Sequence, residues 1–497
     1  MLCNKKLHKC KKNVIVICVF FGNNKMKILV TTDGGKMNYF IYGLADYIAN
    51  LTYDNLSEEA IDFAKKVILD SYGNMIFGRY SETKNLIMGY LEKMDGVTEN
   101  EGQVSILGEK ERKTNLETAV FIHTMMSRCA DLDDGYRHAM GHPGSVLVPL
   151  LVNVAELYDK NGKDMITAIV GAYDIYARLG ECINPFMYRE RGFDATGVCG
   201  AVAAAALVSK LKGLDKERIK DAMGIASLFS GGLIEYQNDG TSGKILCSGW
   251  AAVNGIRATK LAEIGFTGPN AAFEGKYGFL QAFKGVSGHC DTSGILLKLG
   301  EEFKITHIYF KRHACQRGLH AVLDAMLDLK EKHLLQPDEI ENVEIKTSSF
   351  VYRLSNKSPE TFVGAQASAQ FTSAVALKYG RMDSEKLVSK SFEDKEIARL
   401  ADKVTVILDD EVQDYLKKNP THFCAAKVLI HKKSGEKYES WNPVPLGDVE
   451  TTFGWDMLEN KFYNLVKDTP YEKDWKDKFN TIMKLEDLQD MEMLYRY

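Results

Sequence analysis

Residues 131–143 read D-L-D-D-G-Y-R-H-A-M-G-H-P and run directly into G-S-V-L-V-P-L-L-V-N-V-A at 144–155. Three carboxylates, one arginine and two histidines within thirteen residues are costly to bury unless they are paired or put to use. Taken alone, such a cluster reads as a solvated loop ahead of a helix. The apolar run behind it cannot lie on a surface, so the expectation is a charged loop at the mouth of a buried helix. That makes the fold mainly helical around this point and places the chemistry at the helix mouth.

Upstream and downstream, the helical pattern holds from Tyr39 to about residue 300. Ser57 stands where an N-cap belongs, with Glu58 and Glu59 in the first turn favouring the helix dipole. Ile61, Ala64, Ile68, Tyr72 and Met75 then recur at helical spacing. Residues 162–180 and 196–211 read as further buried helices, and the alanines at 201–206 permit close helix approach. After Phe303 the character changes. Residues 343–347 and 404–408 alternate like strands, and 424–431 and 436–440 flank a hairpin turn at 432–435. Helical segments near 318–333 and 366–379 sit among them, an α+β arrangement. From about residue 452 the chain is helical again.

A chain of 497 residues with 45% hydrophobic and 26% charged residues can bury a large core and divide into domains. A net charge of −4 provides no basic footprint for nucleic acid. The ten cysteines show no C-x-x-C pair and read as reduced thiols, which points to the cytoplasm. In the first 36 residues, Lys5, Lys6, Lys9, Lys11 and Lys12 precede the apolar run Val14–Phe21. That run is too short to span a bilayer, so no membrane association is expected. With Met26 and Met37 both available as starts, residues 1–36 read as a disordered extension or a misassigned start.

Four more segments complete the pattern: R-G-F-D-A-T-G at 191–197, G-K-I-L-C-S-G-W-A-A at 243–252, G-F-T-G-P at 265–269 and K-R-H-A-C at 311–315. Together with 131–143, and in this order, they resemble the MmgE/PrpD family, which includes 2-methylcitrate dehydratases, cis-aconitate decarboxylases and iminodisuccinate epimerases. The likeness covers the chain after Met37. It implies a large all-helical domain at 37–306, a smaller α+β lid at 307–451, and a helical segment at 452–497 returning to the large domain. It also implies a homodimer.

Arg137, Arg191, Lys244 and Lys311 all fall in these segments. Each alone is more often a surface charge; four together point to a pocket for an anion with several carboxylates. The resemblance puts Asp131, His142, Lys244 and Lys311 on active-site positions. Loss of a proton or CO₂ next to a carboxylate leaves a carbanion, which fixed cations stabilise; Lys244 and Lys311 suit that role. His142 has the intrinsic pKa for acid–base work, with helix capping before Pro143 as its bland alternative. Asp131 is placed to orient it. The chain departs from the decarboxylase pattern at Asp194, Gln316 and Phe371, where His, His and Tyr are expected, and its 131–142 run is one residue longer. Asp194 can serve as a base, or as an acid if burial raises its pKa. Tyr136, Tyr188, His138, His313, His320, Cys199 and Cys315 are the available substitutes. Residues 188–191 read as a substrate-facing corner.

Gly243-Lys244 is not a phosphate-loop lysine, because Asn238 and Ile245 occupy required Gly and Ser/Thr positions. Asp131, Asp133 and Asp134 lack the glycine and distal glutamate of a calcium loop. His138 and His142 are four apart, but Pro143 disfavours a helical metal pair. These readings lead to a cofactor-independent enzyme, with no metal, acting on a small polycarboxylate. A lyase of the dehydratase kind leads, an epimerase is the near alternative, and a non-catalytic metabolite-binding paralogue is the third.

Overall fold

The computed structural model describes side chains for residues 39–94, 104–109, 112–285, 288, 290–383, 387–489 and 494. For Leu7–Cys10, Val14–Phe21 and Lys25–Thr32 it describes the backbone alone, paired as an antiparallel three-stranded sheet. The sequence reading has a disordered extension or a misassigned start there; the segments around these strands lie outside the described residues.

The large domain is a layered stack of helices. Helix α1 (Glu58–Arg79) starts at Ser57, whose side chain accepts the Ala60 N–H, with Glu58 and Glu59 in its first turn. Helix α2 (Leu116–Cys129) is capped by Asn115. Helix α3 (Gly144–Leu157) is the apolar run behind the charged loop, and its first twelve residues are all buried. Helix α4 (Gly162–Ile183) opens with a capping box between Asn161 and Asp164. Helices α5 (Ala195–Leu211), α6 (Lys216–Leu228) and α7 (Leu246–Glu263) follow. Helix α5 packs on α3, α4, α6 and α7 at once. The small side chains that permit this are the alanines expected from sequence: a Cβ on Gly255 of α7 would lie 2.4 Å from the Ala204 Cβ of α5.

The smaller domain has a four-stranded sheet. Its strands are β1 (Ile340–Thr347), β2 (Val404–Leu408), β3 (Ala426–Lys432) and β4 (Lys437–Asn442), in the order β4-β3-β1-β2. The β3–β4 and β3–β1 pairs are antiparallel, and β1–β2 is parallel. Helices α8 (His320–Lys332) and α9 (Ala369–Tyr379) pack against it and against each other, around an apolar core separate from that of the helical domain. Helix α10 (Trp455–Val466) returns to pack on α1 of the large domain. The architecture is mainly α with a smaller α+β domain. No helix among the described residues is long and apolar enough to cross a membrane.

Candidate active site

Two short strand pairings fix the charged loop. Gly135–Tyr136 pairs antiparallel with Ile308–Tyr309, and Tyr136 bridges back to Gly141 within the loop. Asp131 (φ 55°) and Met140 (φ 54°) turn the chain through the left-handed region, which Asp tolerates better than most residues. The pairing with 308–309 brings Lys311 under the loop's first residue. Lys311 Nζ lies 2.5 Å from Asp131 Oδ1, and Lys244 Nζ lies 2.7 Å from Asp131 Oδ2. Each oxygen of one carboxylate therefore holds one lysine. Burial alone would raise the Asp131 carboxyl, but the two ammonium charges outweigh it and hold it below the usual carboxylate range. Burial pulls the Lys244 ammonium below its ordinary value despite Asp131.

His142 sits at the start of α3, with its ring lining the cleft. Its Nδ1 lies 2.6 Å from the Asp134 carbonyl oxygen. A carbonyl only accepts, so Nδ1 carries the proton and Nε2 keeps its lone pair. Nε2 has no protein partner among the described residues. Burial lowers the ring to about 4, against the opposing pull of Asp133, 3.4 Å away. At neutral pH the ring is a proton acceptor.

Arg128, in the last turn of α2, organises the other wall. It donates to Asp133 at 2.9 Å and to Asp194 at 3.4 Å. Asp194 is the N-cap of α5: Oδ1 accepts the Thr196 N–H, and Oδ2 accepts the Tyr236 hydroxyl at 2.8 Å. Burial would raise its pKa, but Arg128 and these donors outweigh it. The sequence reading left open an acid role for Asp194 if burial raised its pKa; the guanidinium beside it removes that condition.

These groups face one cleft of about 100 Å³ between the two domains. That suits a compact acid. The structure brings Asp131, His142, Asp194, Lys244, Lys311 and Gln316 together here, with Tyr188. It does not bring four others. The Tyr136 hydroxyl is spent on Glu181, and the residue serves the loop through its backbone. Arg137 is buried against Asp448 and Glu450. Arg191 is exposed and donates to the Ala282 carbonyl. His320 is enclosed beside His313 and Arg317. Asp131 does not orient His142 as expected; the Asp134 carbonyl and Asp133 do. Phe371 packs in the lid core against Phe392, away from the cleft.

Sequence reasoning missed Arg128, Tyr236, Tyr309 and Arg317, which also line the cleft. Arg317 is buried, pairs with Asp448 at 2.7 Å, and lies over the Tyr309 ring. The available signal was proximity: Arg128 lies three residues before Asp131, and Arg317 six after Lys311.

Family models settle the ancestry. The MmgE/PrpD N-terminal domain model matches residues 43–288, and the MmgE/PrpD C-terminal domain model matches residues 313–487. The chain belongs to the MmgE/PrpD family. Similar proteins include the cis-aconitate decarboxylase-like protein oryM of Aspergillus oryzae, 26% identical over 84% of this chain and 89% of that protein. The cis-aconitate decarboxylase of Aspergillus terreus is 24% identical over 91% of this chain and 94% of its own length. That of Homo sapiens is 22% identical over 90% and 92%.

Proposed function

We propose that this chain is a lyase that removes a proton next to a carboxylate of a small di- or tricarboxylic acid and expels water. Its own side chains supply base, acid and charge. The cis-aconitate decarboxylases it resembles support the polycarboxylate substrate class. The observation that carries the reaction type is the His142 ring, fixed as the Nδ1–H tautomer with a free Nε2. Loss of CO₂ needs no base and ends with a proton delivered to carbon. Elimination of water begins with a base, which is what this ring is at neutral pH.

In this scheme Nε2 takes the proton on the carbon next to a carboxylate. The electron pair moves into a carbon–carbon double bond as the carbon–oxygen bond to the hydroxyl breaks. Lys244, whose ammonium is made more acidic by burial, gives the departing hydroxyl its proton. Lys311, on the other Asp131 oxygen, faces the developing negative charge and stabilises it. An epimerase returns the proton to the opposite face of the same carbon, and Asp194, committed to Arg128, Thr196 and Tyr236, is not free for that transfer.

Proton NMR in D₂O with a panel of hydroxylated and unsaturated di- and tricarboxylates tests this. A vinyl signal from a hydroxy acid, lost in His142→Ala, is the expected result. Deuterium at an α-carbon without a vinyl product makes the chain an epimerase, and CO₂ release from cis-aconitate makes it a decarboxylase. Binding without turnover in both proteins makes it the non-catalytic paralogue.

A further inference from the structure

A second groove opens beside the catalytic cleft, at the seam between the domains. Arg189 contributes from the end of the short helix Phe186–Arg189 in the large domain, and Arg353 follows Ser349–Tyr352 in the lid. Lys417, at the C-terminal end of the helix Asp410–Lys418, is the third charge. No carboxylate lines the groove among the described residues. Its volume is about 590 Å³. Phe350 and Phe423 line both this groove and the catalytic cleft, so the two share a wall.

The pairing of the three cations differs. Lys417 has Asp414 at 2.7 Å. Neither guanidinium has an ion-pair or hydrogen-bond partner among the described residues, and Arg353 is only stacked over the Phe350 ring at 5.5 Å. Desolvation, then the like charge of Arg353, pulls the Arg189 guanidinium below its ordinary value. Elsewhere in the molecule the arginines near chemistry are neutralised: Arg128 by Asp133 and Asp194, Arg137 and Arg317 by Asp448. Two like charges held across a domain seam without a counter-ion repel, and an anion placed between them reverses the sign of that interaction.

We infer that this groove is an anion-binding site, taking a carboxylate or phosphate group between Arg189 and Arg353 and so tying the lid to the helical domain. Such a group arrives either on the substrate, on its way to the shared wall at Phe350 and Phe423, or on a separate small anion. In the first case the inference rests on the polycarboxylate reading of the cleft; in the second it does not.

The test is a calorimetric titration of the full chain with inorganic phosphate and with citrate, in wild type, Arg189→Gln and Arg353→Gln. Both arginines are exposed, so neither change disturbs the core. Each substitution is expected to weaken phosphate binding about tenfold, the usual size for one charge-assisted contact. The same loss should appear in a Lys244→Gln background, where the catalytic cleft has lost a cation and the groove has not. If the substrate passes through the groove, kcat/KM falls about tenfold in the arginine variants with kcat unchanged. If a separate anion occupies it, kcat/KM stays constant while the phosphate affinity drops. Phosphate affinity untouched by both substitutions overturns the inference. Failure to find any turnover would count against the lyase reading alone, because the titration needs none.

Discussion

One backbone carbonyl decides what His142 can do. Asp134 O accepts its Nδ1–H, and burial lowers the ring to about 4. The base form therefore persists far below the usual imidazole value of about 6.5. The acid limb of kcat/KM carried by this group is expected near pH 4, with none near 6.5; a limb at the ordinary imidazole value would remove His142 as the base. Asp134 itself behaves in the opposite sense. Burial pushes its carboxyl up to about 7, although Tyr173 Oη and the Gly144 N–H donate to it. Its folded value lies above the unfolded value of about 4. Its stabilising contribution is thus complete below about pH 4 and is lost as the pH rises through 7. Asp134→Asn keeps an acceptor for Gly144 and cannot ionise. The Tm of the variant relative to wild type is expected to climb between pH 5 and 8, and a constant difference would contradict this.

At the scale of the element, the site exists because helix ends converge on it. Arg128 lies in the last turn of α2, His142 just before α3, and Asp194 caps α5, so three termini present ionisable side chains to one cleft. That convergence depends on α5 being close to α3, α4, α6 and α7 together. Small residues allow it. At Gly255 an added Cβ meets Ala204 Cβ at 2.4 Å and the α5 backbone at 2.7 Å, neither of which can give way without moving a helix. Gly255→Val is expected to cost at least the 1–3 kcal/mol typical of overpacking. Denaturant unfolding should show this as a lower midpoint, and an unchanged midpoint would mean that the α5–α7 contact is looser than described. The helices and their caps at Ser57, Asn115 and Asn161 follow local rules, and Ser57 was legible in advance. The lid strands at 343–347 and 404–408 were legible too, because alternation is local.

Across the whole molecule, two surfaces remain to be matched with partners. One is the cationic groove. The other is an apolar face where α6 ends and α7 runs, with Phe229 71% and Trp250 59% exposed. A groove of about 560 Å³ lies between them. Exposed apolar surface on this scale marks an association site, and we propose that a second copy covers it, as the family resemblance leads one to expect. Analytical ultracentrifugation should then find twice the 55.7 kDa chain mass, reduced to one chain by Trp250→Glu; a wild-type monomer at micromolar concentration would reject the proposal.

By itself the sequence determined the helical and α+β periodicities, the charged loop ahead of a buried helix, and the ordered motifs that mark the MmgE/PrpD family. These are signals carried within short windows, where spacing and capping act. It also singled out Asp131, His142, Lys244 and Lys311, because they lie inside motifs. Only the tertiary structure decided which charges meet. Arg137 looks equivalent to Lys244 along the chain, yet it is neutralised by Asp448 and Glu450, residues more than 300 positions away. Arg317, unremarked in sequence, reaches the cleft because Ile308–Tyr309 pairs with the loop and carries the following segment underneath it. The protonation of His142 and Asp194 was equally out of reach, since it depends on burial and on partners contributed by separate helices. Local propensity is written in neighbours along the chain; electrostatics is set by neighbours in space.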